Sequence, residues 1–435
     1  MTRPFREFAR LQSSGGIVLL AAAFAAIIWS NSPWSTSYGD LWHETAFSIG
    51  LGDFSLSMPI EMWINDLFMA LFFLLVGLEI KREFLVGELN TTRKAILPVA
   101  AAAGGMVVPG LIYAAINLGR PTLHGWGVPV ATDIAFALGV LALMGRRAPA
   151  SLKIFLASLA IADDLGALVV IAFFYTEQLH TLSLAVAVAL FAVLVLVNVL
   201  GFRHPFLYGT LGLLLWMFVL KSGVHATIAG VAVAITIPAR PGVVGNVFLN
   251  RIRGAIDQFE QESGGGATVL TNPQVLAAVH TVDHAAREAK APLQRIERAL
   301  HPWVAFLIIP LFALANAGVH LSAATGNTLM SPVALGVFCG LVIGKPIGIF
   351  GASWLAVRFG FAALPAGVGW TAILGVAFLG GIGFTMSLFI GHLAFENQAD
   401  MDAAKVSILA ASVVCATLGA IALSQPTDRV AHDSG

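Results

Sequence analysis

The sequence predicts an all-α membrane protein with about twelve transmembrane helices, and three observations lead to this fold class. Hydrophobic residues make up 58% of the 435 residues and charged residues only 11%, whereas a soluble domain carries roughly 25% charged residues. The apolar residues form long runs of the kind that a membrane-spanning helix needs, and period-2 alternation is rare. Because only helices and closed barrels satisfy the backbone inside a bilayer, these runs indicate helices.

Twelve apolar runs can be read along the chain, and the boundary between the seventh and eighth is the least distinct because little more than Lys221 separates them. The runs are Gly16–Ser30, Trp63–Ile80, Ala95–Ile116, Gly127–Met144, Ile154–Tyr175, Leu182–Leu200, Pro205–Leu220, Ser222–Ile237, Pro302–Val319, Pro332–Val357, Pro365–Leu393 and Ala403–Leu423. We expect them to form one transmembrane domain over residues 1–423, followed by a cytoplasmic tail over residues 424–435.

Lysine and arginine residues are distributed unevenly between the two sides of this arrangement, which predicts its orientation. One side receives a long polar loop over residues 238–301 and Arg3, Arg6, Arg10, Lys81, Arg82, Arg93, Lys94, Arg146, Arg147, Lys153, Arg203, Arg358 and Arg429. The other side receives only Arg120, Lys221 and Lys405. The bias therefore places both termini and the long loop in the cytoplasm.

Two stretches outside the runs have patterns of their own. Residues 46–58 alternate apolar and small residues around a turn at Gly50–Asp53, which predicts a β-hairpin on the outer side. The long loop has a Gly-Ser stretch around residues 263–266, which is typical of a flexible segment. It continues into a charged amphipathic pattern over Asn272–Leu300, which predicts a helix on the cytoplasmic face.

Charge and cysteine usage exclude several classes of protein. The formal net charge is zero, so there is no basic excess of the kind that binds nucleic acid. The two cysteines, Cys339 and Cys415, lie inside apolar runs, and no metal-ligand spacing exists. We therefore expect no cofactor.

Charged residues inside the apolar runs are the most informative feature, because each costs about 2.5–3.5 kcal/mol at the centre of a membrane helix. The most notable are Asp163 and Asp164 near the midpoint of the fifth run, Lys345 near the midpoint of the tenth, Asp133 with Thr132 in the fourth, and Asp66 with Asn65 near the start of the second. A single Asp–Lys pair has two readings, a functional one and a purely structural one in which it holds two helices together. Two adjacent like charges are a poor means of stabilising a bundle, so the Asp163–Asp164 pair indicates function.

The chemistry of an adjacent carboxylate pair fits ion exchange. Mutual repulsion opposes simultaneous ionisation, so the pair takes up protons as a unit. Deprotonated carboxylates offer the hard oxygen ligands that small hard cations prefer. Asp163 and Asp164 can therefore bind protons or a cation in alternation, which is what antiport requires. Lys345 supplies a positive charge, and it either pairs with Asp163 when no cation is bound or carries a proton itself.

Two runs are interrupted at mid-depth. The fourth contains Gly125, Gly127 and Pro129 ahead of Asp133, and the eleventh contains Gly380-Gly381-Ile382-Gly383. Such residues allow close helix packing, but they also let a helix unwind and expose termini that stabilise a carboxylate. The third to fifth and the tenth to twelfth runs form similar triplets with the interrupted member in the middle, which predicts an inverted repeat around a midplane site.

From about Phe8 to Leu423 the chain resembles the NhaA family of bacterial sodium/proton antiporters. The motifs that carry the resemblance are residues 74–83 (LLVGLEIKRE), 131–136 (ATDIAF), 162–166 (ADDLG), 223–227 (GVHAT) and 344–346 (GKP). The resemblance implies a fold with two crossed discontinuous helices and electrogenic exchange of sodium, and usually lithium, for protons across the bacterial inner membrane. It also implies a homodimer formed through the outer β-hairpin.

The resemblance further assigns roles to individual residues. It implies that Asp163 and Asp164 carry the cation and protons, that Thr132 contacts the cation, and that Asp133 and Lys345 compensate charge. It places pH sensing at the cytoplasmic mouth, on Glu79, Arg82, Glu83, Glu297 and His301. Arg298 stands where the well-known member has a histidine, and the loop carries an insertion around residues 253–284, so this chain departs from the family's pattern in the region that the resemblance connects with pH sensing.

Three other functions compete with antiport. A sodium-coupled symporter of the same fold would need a pocket for an organic substrate and no titrating site. The sequence Gly50-Leu51-Gly52-Asp53 matches the signature of intramembrane aspartyl proteases, but it falls in the hairpin outside the membrane. A retinal Schiff base on Lys345 would be expected in a chain of seven spans. We therefore expect a transporter and not an enzyme.

Overall fold

The computed structural model describes residues 3–51, 54–145, 148–176, 179–240, 245–263, 272–320 and 326–425, and the fold is mostly helical in these ranges. A two-stranded sheet and a series of helices make up the chain. The helices are α1 Arg3–Ser30, α2 Ser35–Gly39, α3 Ile60–Val86, α4 Thr92–Ile116, α5 Ile134–Leu143, α6 Ala150–Phe174, α7 Thr181–Val199, α8 Pro205–Leu220, α9 Ile228–Thr236, α10 Gly245–Ser263, α11 Pro273–Ala289, α12 Pro292–Asn316, α13 Gly326–Leu329, α14 Pro332–Arg358, α15 Trp370–Leu379, α16 Phe384–Ala394 and α17 Gln398–Ser424.

The chain is a multi-pass membrane protein. Within the described ranges, 8 helices are long and apolar enough to cross a bilayer, and the number rises to 9 when the bent pair α15 and α16 is taken as one span. The apolar part of α1, residues 14–30, and α8 are shorter, and α9 has 9 residues. The predicted number of twelve spans thus exceeds the number of helices that are long enough by themselves.

The predicted β-hairpin is present. Strands β1 (Ala46–Leu51) and β2 (Phe54–Pro59) pair antiparallel, from Ala46 opposite Pro59 to Leu51 opposite Phe54. Residues 52 and 53 at the turn, which include the aspartate of the protease-like signature, lie outside the described residues.

The predicted start of the ninth span at Pro302 is wrong. Helix α12 begins at Pro292 and continues through Pro302, so Glu297 and His301 lie near the start of the helix that forms this span and not on a separate cytoplasmic segment. Proline inside a helix removes one backbone hydrogen bond. Here a π turn over Val304–Ile308 follows at once and accommodates the irregularity.

Two further boundaries differ from the sequence prediction. The eighth span begins at Ile228 and not at Ser222, because Gly223 has a φ of +82°, a left-handed conformation that ends regular helix. In the long loop, α10 was not predicted, and the predicted helix Asn272–Leu300 is divided into α11 and α12 at Lys290. Residues 264–271, which include most of the Gly-Ser stretch, lie outside the described residues.

Glycines set the spacing of the central helices. Gly104 on α4 and Gly348 on α14 face one another so closely that a Cβ atom on either residue would collide with the other's carbonyl group. Helices that lack side chains at a crossing can bring their backbones into contact. This crossing brings α14, which carries Lys345, close to α4 at the centre of the bundle.

Candidate functional site

The two interrupted segments meet in the middle of the bundle. The first is a 3₁₀ helix over Pro121–Val130, followed by an extended stretch that ends at α5, and the second is the break between α15 and α16. The backbone N–H of Asp133 donates to the carbonyl of Ile382 over 2.7 Å. The hydroxyl of Thr132 donates to the carbonyl of Gly380, also over 2.7 Å. The polar backbone groups that each break exposes are thus satisfied in part by the other break.

The Asp133 carboxylate lies at the N-termini of two helices at once. Its Oδ1 atom accepts a hydrogen bond from the N–H of Phe136 at the start of α5, over 2.9 Å. Its Oδ2 atom accepts from the N–H of Thr385 at the start of α16, over 3.1 Å, and from the Thr385 hydroxyl. Helix N-termini carry partial positive charge and unpaired N–H groups, so one buried carboxylate stabilises both ends.

Lys345 links the fifth and tenth predicted spans. Its ammonium donates to Oδ2 of Asp163 over 2.7 Å and to the hydroxyl of Thr132 over 2.9 Å. All three side chains are buried, and Lys345 is 0% exposed. A buried ammonium is costly unless a carboxylate compensates it, so Asp163 and Lys345 depend on each other for their charges.

Asp164, the next residue on α6, is buried beside this pair, and the charge of Lys345 also acts on it. The residue is 2% exposed, and its Oδ1 atom and the Oδ1 atom of Asp163 are buried without a hydrogen-bond partner among the described residues. Buried carboxylate oxygens without protein partners are rare in folded proteins, and such an oxygen is available to a proton, a water molecule or a cation. Carboxylate oxygens with the nearby Thr132 hydroxyl form a donor set that fits a small hard cation.

A small cavity lies between one end of the bundle and the start of α5, next to the interrupted segments. Its volume is about 40 Å³, which is room for about one water molecule. Glu79 and His301 line it together with Ile134 and Ala135, which directly follow Asp133 in the chain. Polar residues at the end of the bundle and the interrupted segment therefore border the same space.

The five residues that the resemblance connects with pH sensing come together at this end, which we call the rim. Glu79, Arg82 and Glu83 lie on α3, and Glu297 and His301 lie on α12. The Arg82 guanidinium forms ion pairs with Glu297 and, over 3.2 Å, with Glu83. Glu79 is buried beside them. Arg82 thus holds α3 and α12 together in a cluster that is richer in acids than in bases.

Asn65 and His225, the latter from the motif over residues 223–227, form hydrogen bonds with neighbouring side chains. Asn65 exchanges amide hydrogen bonds with Asn316 of α12, over 2.9 and 3.2 Å. His225 contacts the hydroxyl of Thr227 through Nδ1, over 2.9 Å, and packs edge-on against Phe389. These hydrogen bonds do not involve Asp163 or Lys345.

Sequence reasoning missed a second buried charged cluster, at the hairpin end of the bundle. Glu61 on the first turn of α3 contacts His43 and His392, and Lys405 on α17 is buried close to it. The one signal in the sequence was Lys405, a charged residue within the last apolar run. Its partners come from segments whose proximity only the fold reveals.

Comparison with known proteins gives a consistent result. Residues 6–423 match the model of the family described as Na+/H+ antiporter 1. The Na(+)/H(+) antiporter NhaA of Oleidesulfovibrio alaskensis is 52% identical over 411 residues, which cover 94% of this chain and 91% of that protein. The Na(+)/H(+) antiporter NhaA 2 of Syntrophotalea carbinolica is 47% identical over 99% of this chain and 98% of its own length. The NhaA of Koribacter versatilis is 46% identical over 97% and 91% respectively.

Proposed function

This chain belongs to the Na+/H+ antiporter 1 family, and from that premise we propose that it exchanges sodium ions for protons at Asp163 and Asp164. The observation that carries the proposal is a pair of buried carboxylate oxygens, one on each aspartate, that have no hydrogen-bond partner in the described part of the chain and lie beside a buried lysine. Protons and a sodium ion would compete for these oxygens, so that loading of one releases the other.

The contacts of Lys345 suggest how the exchange proceeds. Lys345 forms its ion pair with Asp163, while Oδ1 of Asp164 has no hydrogen-bond partner among the described residues. A sodium ion that binds Asp164, with the Thr132 hydroxyl and Asp163 as further ligands, replaces the positive charge of the lysine at Asp163. The released ammonium is then free to lose its proton or to remain charged. Movement of more protons than sodium ions per cycle would make the exchange electrogenic.

Asp133 supports this site without binding the ion. Its carboxylate neutralises two converging helix N-termini, which would otherwise place positive potential beside the cation. We assign Asp133 and Lys345 to charge compensation, and Thr132, Asp163 and Asp164 to ion binding.

At the level of the fold, we propose twelve membrane-spanning segments arranged as an inverted repeat. The segment from α4 to α6 and the segment from α14 to α17 each consist of a helix, an interrupted helix and a further helix. Their interrupted members contact each other at the breaks, and their first members cross at Gly104 and Gly348. Substrate sites at such repeat interfaces are typical of secondary transporters.

The setting in the cell follows from the same family premise and from the charge distribution. We propose that the protein lies in the bacterial inner membrane, that both termini, the loop over residues 238–301 and the tail over 424–435 are cytoplasmic, and that two copies associate through the β-hairpin. The hairpin exposes Phe47 and Ile49, which suits a contact between copies. The rim would then face the cytoplasm and adjust exchange to intracellular pH.

Reconstituted transport tests the proposal directly. Purified protein in liposomes with an imposed pH gradient should dissipate that gradient when sodium or lithium is added, over a range such as pH 6 to 9, and potassium should have a much smaller effect. Liposomes without protein are the control for leakage. Gradient dissipation that is equal for all three cations, or absent with sodium, would refute sodium/proton exchange.

A further inference from the structure

A cluster of charged and titratable side chains lies at the hairpin end of the bundle, opposite to the rim. The Glu61 carboxylate is at its centre. Its Oε2 atom contacts Nδ1 of His43, and its Oε1 atom lies 3.8 Å from Nδ1 of His392. The Glu61 side chain is only 14% exposed. A carboxylate that follows a surface hairpin in the chain is thus largely buried between two imidazole rings.

Two more groups complete the surroundings of Glu61. Lys405 on α17 is 3% exposed and lies close enough to Glu61 and Asp402 to interact electrostatically with both. Tyr38 on α2 also interacts electrostatically with Glu61, and burial raises the pKa of its hydroxyl. That hydroxyl therefore keeps its proton and donates to the carbonyls of Leu314 and Ala315 on α12, each over 2.8 Å.

The cluster connects parts of the fold that are separate in the chain. Glu61 lies on α3, and His43 lies on a π turn over Asp40–Glu44, before the hairpin. His392 lies on the last turn of α16, the helix whose first turn binds Asp133, and Lys405 lies on α17. A shift of α16 and α17 relative to α3 would therefore disturb this cluster and the crossing of the interrupted helices together.

We propose that Glu61, His43, His392 and Lys405 form a gate that closes the route from the hairpin end of the bundle to the ion-exchange site. This inference rests on the proposed function, because an exchanger must expose its site to the two sides in turn. When the site opens to the hairpin end, Glu61 separates from His392 and Lys405. When it opens to the rim, these contacts form again.

Energetic considerations favour a switching role over a purely structural one. Buried ion pairs contribute little to stability compared with apolar residues of similar size, because desolvation offsets their attraction. Such a contact is useful in a protein that switches between two discrete arrangements, because it can form in one arrangement and break in the other. In addition, Nε2 of His392 is buried without a hydrogen-bond partner among the described residues, so the arrangement seen here does not satisfy the cluster fully.

Sided transport measurements test the gate. Glu61→Gln and Lys405→Met should shift the protein toward the form that is open at the hairpin end. The apparent KM for sodium added at that side should fall about five-fold or more relative to the opposite side. The matched control is Glu44→Gln, which removes an exposed carboxylate from the same end and should leave both KM values unchanged. The exchanged pair Glu61→Lys with Lys405→Glu should restore the asymmetry in part.

Hydrogen–deuterium exchange provides a readout that does not need transport. In Glu61→Gln, the amides of α16 and of the first turns of α17 should exchange faster than in Glu44→Gln, and the same difference should persist in an Asp164→Asn background. The gate proposal would be overturned if amide exchange were unchanged in Glu61→Gln. It would also be overturned if amide exchange were faster while the KM values on both sides stayed the same. If the wild-type protein showed no sodium/proton exchange, the proposed function would be refuted instead. The amide comparison would still decide whether Glu61 stabilises the packing of α16 and α17.

Discussion

The buried centre of the bundle and its rim use similar side chains in different surroundings. At the centre, Asp163 and Lys345 are separated by 182 positions in the chain and form a pair whose side chains are 1% and 0% exposed. At the rim, the Arg82 side chain is 31% exposed and contacts one carboxylate from its own helix and one from α12. Water is excluded from both members of the central pair, whereas at the rim it reaches the guanidinium of Arg82, although Glu79 and Glu297 there are buried.

This difference determines what each region can do. A charge in the centre has no solvent to replace a lost partner, so each group there is either compensated or available to a proton or a cation. At the rim, water reaches Arg82 and partly screens its ion pairs, so it replaces in part a partner that is lost. We therefore expect the loss of Asp163 or Asp164 at the centre to abolish exchange and substitutions at the rim to adjust it.

The largest expected effect tests the division between the two regions. Asp164→Asn and Asp163→Asn should each abolish sodium-driven proton movement in inverted membrane vesicles, because the amide neither ionises nor binds sodium as a carboxylate does. Glu297→Gln at the rim is the matched control and should retain exchange. Normal exchange in either aspartate variant would disprove the site assignment.

Stability should follow the same division. Lys345→Met leaves Asp163 buried without its partner, which we expect to cost about 3–5 kcal/mol. Arg82→Met removes a partly exposed pair and should cost about 1 kcal/mol or less. Thermal denaturation of the purified variants in detergent checks this. Equal melting temperatures for the two variants would contradict the contrast.

An intermediate effect is expected at Asp133. Its replacement by Asn keeps the shape of the side chain but removes the charge that faces two helix N-termini, at a cost of about 1–2 kcal/mol. Exchange should be weakened and not lost, because the carboxylates that bind the ion remain. The exposed Asp257 on α10 provides the comparison, since Asp257→Asn should change neither the melting temperature nor the sodium KM. Complete loss of exchange in Asp133→Asn would place this residue among the ion ligands.

The smallest effect is expected at the rim. Glu297→Gln removes one negative charge near Glu79 and frees Arg82 to interact with the remaining acids. Both changes make those acids easier to ionise, so the midpoint of the pH profile should move to lower pH by about one unit. Exchange rates measured from pH 6 to 9 check the sign. A shift to higher pH would contradict the role of the rim.

The sequence was most informative for charged residues inside apolar runs, because burying a charge in a membrane is energetically costly. Asp163, Asp164 and Lys345 are conspicuous in apolar runs, and the structure places Asp163 and Lys345 in contact. The interruptions at Pro129 and Gly380–Gly383 were also visible, since few other residues permit a helix to unwind. That Asp133 contacts two helix ends, however, depends on the crossing of two segments that are far apart in the chain.

Where the sequence misled, the cause was local. Pro302 suggested a helix start, but a π turn allowed α12 to continue through it. The cluster around Glu61 was missed because three of its members lie near helix ends, where charged residues are common and carry no signal. Their burial arises only when the hairpin, α16 and α17 come together.

The central claim is that protons and sodium compete for the same carboxylate oxygens, and sodium affinity as a function of pH tests it most directly. The apparent KM for sodium, measured with purified protein in liposomes, should rise as pH falls through the range in which the pair takes up protons. The expected slope is about ten-fold per pH unit for each proton displaced. A sodium KM that stays constant while the maximal rate changes with pH would contradict competition at Asp163 and Asp164.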